Sequence, residues 1–249
     1  MEVLLAGESW ITIEHHFKGW DHFTSATFHD GAAAFKKALE KQGIKIHHLY
    51  AHLVPDNFPR TLEELAQYDV VILSDIGSNS LLLPSETWLR GKQTLNRLDL
   101  LREYVKGGGG LVMVGGYYSF QGIHAMARYK NTPIEDILPV LLLPHDDRVE
   151  APEGVHPTLG PHFAAFQGFP SSLPPLLGYN KVILRDDSAC IYLVSNDPLL
   201  ALREVGKGRT VAWTSDIGPH WCPHEFMLSE SYKQLWIKIL NWAGRKENG

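Results

Sequence analysis

Four short segments hold the residue types that could do chemistry. They are Glu8-Ser9-Trp10, Asp75 with Ser78 and Asn79, Tyr117-Tyr118-Ser119, and Ser215-Asp216 with His220 and Cys222. Each follows an apolar run that reads as a strand. In an open parallel sheet, ligands bind outside the carboxyl ends of the strands, so all four segments fall on one rim. Carboxylates, hydroxyls and an imidazole there suit hydrogen bonding or proton transfer, and the aromatic rings suit stacking. Asp and Ser at strand ends also cap following helices, which is the plainer reading of each residue taken singly.

The sharpest local pattern is Val114-Gly115-Gly116-Tyr117-Tyr118-Ser119. A strand that runs through glycine into a tight turn and then a helix has the shape of a nucleophile elbow, with Tyr117 at the apex between Gly115 and Ser119. A glycine-softened strand end, with tyrosines packed on the sheet, fits the same letters. His220 and His224 have the spacing of a zinc pair with Cys222 between them, but Pro219 and Pro223 argue against the helix that spacing needs, and no metal is expected. Cys222 beside His220 fits an activated thiolate or a partly buried structural cysteine, and Cys190 in an apolar strand fits the core. Gly107–Gly110 precedes a strand and no Gly-Lys-Ser/Thr follows, so it stops a helix and is not a phosphate loop. No cofactor is expected.

The positioning elements follow from periodicity. Val3–Ala6, Ile44–Leu49, Val70–Leu73 and Leu111–Val114 read as strands. Asp30 caps a helix running to about Gln42, Thr61 and Glu64 form a capping box for Leu62–Tyr68, and Leu98, Leu101 and Val105 share a helical face. Trp10 to His29 reads as an irregular polar and aromatic stretch. The alternation of strand and helix implies a mostly parallel sheet with helices on both faces. Shorter strands near 181–184, 189–194, 199–204 and 209–214 add an antiparallel portion in the C-terminal half. Gly206-Lys207-Gly208 reads as a hairpin, and a last helix spans Ser229 to Trp242. A proline-rich stretch, 132–180, reads as an insertion within a single domain of residues 1–249.

Composition excludes several functions. The 249 residues carry 23 basic and 28 acidic side chains, a net charge of −5, and 44% hydrophobic residues. Such a chain is neither disordered nor a nucleic-acid binder of the phosphate-neutralising kind. It has only two cysteines and no apolar run of about 20 residues, so neither a disulfide scaffold nor a membrane span is expected. A cytoplasmic protein is expected.

Gly115-Gly116-Tyr117-Tyr118-Ser119-Phe120, Leu177-Gly178-Tyr179-Asn180, Asp197-Pro198-Leu199-Leu200-Ala201, Gly206-Lys207-Gly208-Arg209 and Thr214-Ser215-Asp216-Ile217-Gly218-Pro219-His220-Trp221 together resemble the bacterial glutamine-amidotransferase-like domains, near the trehalose-utilisation-protein-like group. The resemblance spans nearly the whole chain. It implies a flavodoxin-like α/β sheet of the class I amidotransferase type. Active members place a cysteine at the elbow and a His-x-Glu pair after a late strand, so that a thiolate attacks the glutamine amide. Here Tyr117 stands at the elbow, His220 matches the histidine, and Cys222 stands in place of the glutamate.

Two kinds of function follow as expectations. In the first, the scaffold is a binding or regulatory module for a sugar-like or amino-acid-like small molecule. Trp10, Trp20, Tyr117, Tyr118 and Trp221 would stack on the ligand, and Ser9, Asp75, Asn79, Ser119, Asp216 and His220 would bond to it. In the second, a hydrolase or transferase uses His220 as general base, oriented by Asp216 or Asp75, with Cys222 as a relocated nucleophile. Homo-oligomerisation through the proline-rich segment and the aromatic C-terminal helix is a further expectation.

Overall fold

The fold was obtained as a computed structural model, which describes residues 1–246. In chain order the strands are β1 (Glu2–Gly7), β2 (Ser9–Lys18), β3 (Asp21–Asp30), β4 (Lys45–Leu49), β5 (Val70–Ser74), β6 (Gly110–Val114), β7 (Val140–Leu142), β8 (Arg148–Val155), β9 (Thr158–Leu159), β10 (Leu176–Asn180), β11 (Val182–Leu184), β12 (Ala189–Val194), β13 (Asp197–Val205) and β14 (Gly208–Trp213). The helices are α1 (Ala33–Leu39), α2 (Val54–Asn57), α3 (Leu62–Leu65), α4 (Ser78–Leu82), α5 (Ser85–Arg90), α6 (Arg97–Gly107), α7 (Pro133–Ile137), α8 (His224–Met227) and α9 (Glu230–Ala243).

Eight strands form one sheet in the order β4-β1-β5-β6-β14-β13-β12-β9. The first five run parallel, and β13, β12 and β9 continue antiparallel. This is the flavodoxin-like α/β architecture expected. Period-two alternation sends Val3 and Leu5 to one face and Leu4 and Ala6 to the other, and each face builds its own core. On the first face, α1 and α9 supply Phe35, Leu39, Trp236 and Ile239. On the second, α2, α6 and α7 supply Val54, Leu101, Val105 and Ile134. Local capping agrees with the letters. Thr61 Oγ1 accepts from Glu64 N at 3.2 Å, and Ser229 Oγ accepts from Tyr232 N at 3.2 Å to start α9.

Four local expectations are corrected. The stretch from Trp10 to His29 is not irregular: it is a regular hairpin, β2 against β3, closed by the two-residue turn Gly19-Trp20 with Gly19 at φ 65°. A Gly-first two-residue loop matches the twist of the paired strands, and both faces of the hairpin are largely exposed, which hid the strand pattern. The helix begun by Asp30 is shorter, Ala33–Leu39; Asp30 Oδ1 accepts from Ala32 N and shapes the turn ahead of it. The helix opened by Thr61 likewise ends at Leu65. No α-helix opens at Gly115-Gly116-Tyr117; only a short 3-10 turn, Ile123–Ala125, comes after it. Positive φ falls on Gly116 (143°) and not on Tyr117, so the strained-apex geometry of an elbow does not form. The segment instead folds back through Ile123 N to Tyr117 O and Ala127 N to Gln121 O.

Within 132–180 the chain forms α7, β7, β8, β9 and β10. β9 extends the main sheet beside β12, and β10 pairs with β8. β10 is then laced to the far end of β14 by Asn180 N to Thr214 O and by Leu177 N to Trp221 O, each at 2.8 Å. That lacing brings the inserted stretch to the carboxyl edge of the sheet. The aromatic side chains of α9 face inward: Trp236 is fully buried against Phe35, Trp213 and Tyr232.

Candidate functional site

The register makes the rim level. Gly7 pairs with Ser74, Ser74 with Val114, and Val114 with Trp213, so β1, β5, β6 and β14 end side by side. The residues just beyond are Glu8, Asp75, Gly116 and Asp216. Glu8 and Asp75 both take left-handed backbone conformations, φ 47° and 44°, a turn that breaks each strand at its last paired residue. Gly116 lies between two carboxylates. A Cβ added there would sit 2.9 Å from Asp75 Oδ1 and 3.0 Å from Asp216 Oδ1, so only glycine lets the backbone pass.

Three acids therefore gather at this rim: Glu8 and Asp216, both buried, and Asp75, which is half-buried. Ser74 Oγ donates to Glu8 Oε2 at 2.6 Å, Tyr118 N to Asp75 Oδ1 at 2.7 Å, and Trp221 N to Asp216 Oδ2 at 3.2 Å. Burial, with the Asp216 and Asp75 charges added, pushes the Glu8 carboxyl well above the usual range. Burial also raises Asp75, and it pushes Asp216 up to about 6. Among the described residues no group of three or more His, Cys, Asp and Glu side chains is disposed to hold a metal ion.

Above this floor lies a half-exposed polar layer. His220, at φ 124°, bridges two carboxylates: Nδ1 is 3.4 Å from Asp216 Oδ2 and Nε2 is 3.3 Å from Glu150 Oε2. The Asp216 carboxylate favours the imidazolium and raises His220. Trp221 Nε1 donates to Glu150 Oε2 at 2.9 Å. Burial alone would raise Glu150, but the Trp221 donor, the Tyr117 hydroxyl and His220 outweigh it and hold it below the usual range. Arg148 forks onto Asp146 with 3.0 and 2.8 Å bonds and lays its guanidinium over the Tyr117 ring, 4.6 Å from the centroid. The Tyr117 and His220 rings meet edge to face at 4.6 Å, so the glycine turn and the late histidine segment share one crevice.

The crevice rests on a buried polar scaffold. Asn180 Oδ1 accepts from Gly116 N at 2.9 Å, and its Nδ2 donates to Gly116 O at 3.2 Å and to Asp147 Oδ1 at 2.8 Å. Asp147 also accepts from Gln121 N and Gly122 N, both at 2.9 Å. These bonds fix both sides of the turn around Tyr117.

The structure brings Asp75, Tyr117, Tyr118, Ser119, Asp216, His220 and Trp221 together and sets others apart. Ser119 Oγ is occupied, accepting from Asp75 N at 3.1 Å. Ser9 is buried and accepts from Ala51 N at 2.8 Å, so it ties the base of β2 to the body and does not face a ligand. Trp10 stacks on His29 at the foot of the hairpin, and Trp20 stands fully exposed at its tip. Asn79 lies on the exposed side of α4. Trp221 is fully buried, with its ring edge against Gly178, and so is a wall of the crevice and not an open stacking face.

Cys222 is a correction. It is 2% exposed and lies in the core behind His220, and burial pushes its thiol up. A protonated, enclosed thiol is a poor nucleophile. In the folded protein, iodoacetamide at neutral pH is expected to label Cys222 at least tenfold more slowly than it labels free cysteine; labelling at the free rate would contradict the packing.

Glu150, Arg148, Asn180 and Asp147 carry much of the site and were missed as chemistry. They sit on β8, β10 and the loop before β8, where no local pattern marks a strand end on the rim. The one available signal was Leu177-Gly178-Tyr179-Asn180, whose glycine is required because a Cβ there would collide with Trp221.

A parallel sheet with a glycine turn after one central strand and a histidine segment after the next defines the class I glutamine-amidotransferase type of α/β protein. The family model GATase1_like, described as "Putative glutamine amidotransferase", matches residues 2–245, and the chain belongs to that family. A cytoplasmic protein of Salmonella typhimurium is 43% identical, with a TM-score of 0.92 over 98% of this chain and 99% of that one. A second cytoplasmic protein of the same organism, strain LT2, is 40% identical with the same TM-score and coverage. A ThuA-like protein from Parabacteroides merdae shares the fold at 14% identity and a TM-score of 0.60, over 98% of this chain and 90% of that one. A comparison with curated proteins finds no match. Among the described residues no helix is long and apolar enough to cross a membrane.

Proposed function

We propose that the chain binds a small polar molecule, sugar-like or amino-acid-like, in the crevice between Tyr117 and His220, as a binding or regulatory module. The observation that carries this reading is a rim without a usable thiol: Tyr117 occupies the glycine turn, and Cys222 is sealed in the core. The polar layer offers an imidazolium, a guanidinium and carboxylates within a few ångströms, which suits a ligand rich in hydroxyls or bearing both charges. The exposed Tyr118 ring offers an apolar face for C–H groups. Left-handed backbone at Glu8 and Asp75 and φ 124° at His220 cost of order 1–3 kcal/mol each. Three such residues meeting on one rim support a functional reading of that rim. The module acts as a single domain in the cytoplasm, with 132–180 as an insertion that completes the crevice.

A second reading rests on His220 alone. An imidazolium held between Asp216 and Glu150 keeps its proton to higher pH than a free imidazole does, which favours general-acid chemistry on the bound molecule over the general-base role expected from the letters.

A thermal-shift panel of sugars and amino acids at millimolar concentration tests the binding reading. At least one compound is expected to raise the Tm by several degrees in the wild type and not in His220→Ala or Tyr118→Ala. Glutamine is expected to release no ammonia. A panel without any shift, or turnover of glutamine, overturns the proposal.

A further inference from the structure

The β2–β3 hairpin is an arm. Its strands are ten residues each, about 33 Å long at ~3.3 Å per residue, and they pair only with one another. A lone two-stranded hairpin is marginal in water. Alternation divides its two faces. One carries Trp10, Thr12, Glu14, His16, Lys18 and their partners, a mostly polar set whose two aromatics, Trp10 and Phe23, stack on His29 and His16, and which bonds within itself: Thr12 with His29 at 3.1 Å and His16 with Ser25 at 3.0 Å.

The other face carries Ile11, Ile13, Phe17 and Phe28. Phe28 leans on Tyr50 and His52 at the foot, and the rest of the face projects from the body. Ile11 is 53% exposed, Ile13 63%, Phe17 76% and Phe28 46%, and Trp20 at the tip is fully exposed.

We propose that this apolar face is covered by a second copy of the chain. Two observations select that occupant. The first is area. At roughly 200 Å² for a full aromatic side chain, the five residues expose on the order of 600 Å². A soluble monomer's largest apolar patch is about 300–600 Å². Two such faces together bury about 1,200 Å², the lower end of a stable specific interface, before any contact with the bodies.

The second is charge. The one charged side chain on this face is Asp30 at its foot, opposite Ser9 and already paired with Lys36 at 2.6 Å; from Ile11 outward the face holds no Asp, Glu, Lys or Arg. Its remaining positions beyond the foot are His15, His22, Thr24 and Ala26, and His15 Nδ1 already meets Thr24 Oγ1 at 3.0 Å. The face is therefore complementary to itself. Two copies related by a twofold axis meet without like-charge repulsion and without leaving that pair unbonded. A basic or acidic partner would find no unpaired counter-charge along the projecting part of the face. Self-association thus runs through the arm and not through α9, whose tryptophans are committed to the core.

Light scattering on size-exclusion fractions of the full chain at tens of micromolar tests this. The wild type is expected at two chain masses, or a closed multiple, and Ile13→Glu/Phe17→Glu at one chain mass, with unchanged far-UV circular dichroism. If the glutamate pair does not fold, Ile13→Thr/Phe17→Thr keeps strand propensity and is expected to weaken association at least tenfold. A monomeric wild type overturns the proposal, as does a wild-type assembly that survives either double variant unchanged.

Discussion

Asn180→Ala is expected to lower the unfolding free energy by about 3–5 kcal/mol and to abolish ligand-induced stabilisation. Asn180 is fully buried and holds Gly116 from both sides while supplying a donor to Asp147. Alanine leaves the Gly116 N–H and the Asp147 carboxylate short of partners. Each buried orphan costs about 1–3 kcal/mol, and the lost side-chain volume adds a cavity cost. For a chain of this length that loss corresponds to a Tm fall of roughly 10 °C. The functional effect comes from Gly116, whose position between Asp75 and Asp216 leaves no slack. Once Asn180 lets go, the Tyr117 turn shifts and the crevice opens. Chemical denaturation of wild type and variant measures the stability term. A loss below 1 kcal/mol would mean that the turn does not depend on this side chain.

Stability is expected to fall as pH rises from 5 to 8, in the reverse of the acid sensitivity common among paired carboxylates. Asp216, burial-shifted to about 6, holds its proton more tightly folded than unfolded. Its stabilising contribution is complete below the ordinary aspartate value near 3.8 and is lost as pH climbs through about 6. That difference is on the order of 3 kcal/mol at about 1.4 kcal/mol per unit. Glu8 and Asp75 shift upward for the same reason and act in the same sense. His220, raised by Asp216, also contributes at low pH and withdraws as pH passes its folded value. Asp146 and Glu150 are shifted down by their donors and act oppositely, withdrawing stability only as pH drops below the carboxyl range. The maximum therefore falls between about pH 4 and 6. Melting across pH 4–9 reads this directly. Asp216→Asn is expected to flatten the alkaline slope and to raise the Tm at pH 8. A variant whose slope matches the wild type would remove Asp216 as the cause.

The strands that carry the rim were legible because burial on both faces leaves unbroken apolar runs, such as Val70–Leu73 and Leu111–Val114, ended by small or charged residues. Their capping signals, Thr61 with Glu64 and Ser229, were local and could be read. The hairpin was not, because its strands bury neither face and its Ile and Phe residues stand among His and Thr without the contrast that marks a strand. The helices begun by Asp30 and Thr61 ended early for a related reason: propensity continued beyond the point where packing stopped.

The amino-acid order alone settled the alternating parallel core and the four segments that follow its strands. Each is written in neighbouring residues, and hydrophobic periodicity acts over that range. Only the tertiary structure decided that Glu150 and Arg148 arrive from β8, that Asn180 clamps Gly116, that Cys222 lies behind the crevice and not in it, and that burial raises the Asp216 carboxyl. Those outcomes depend on strand register and on how much water each group loses, and both are set by chain segments tens of residues apart.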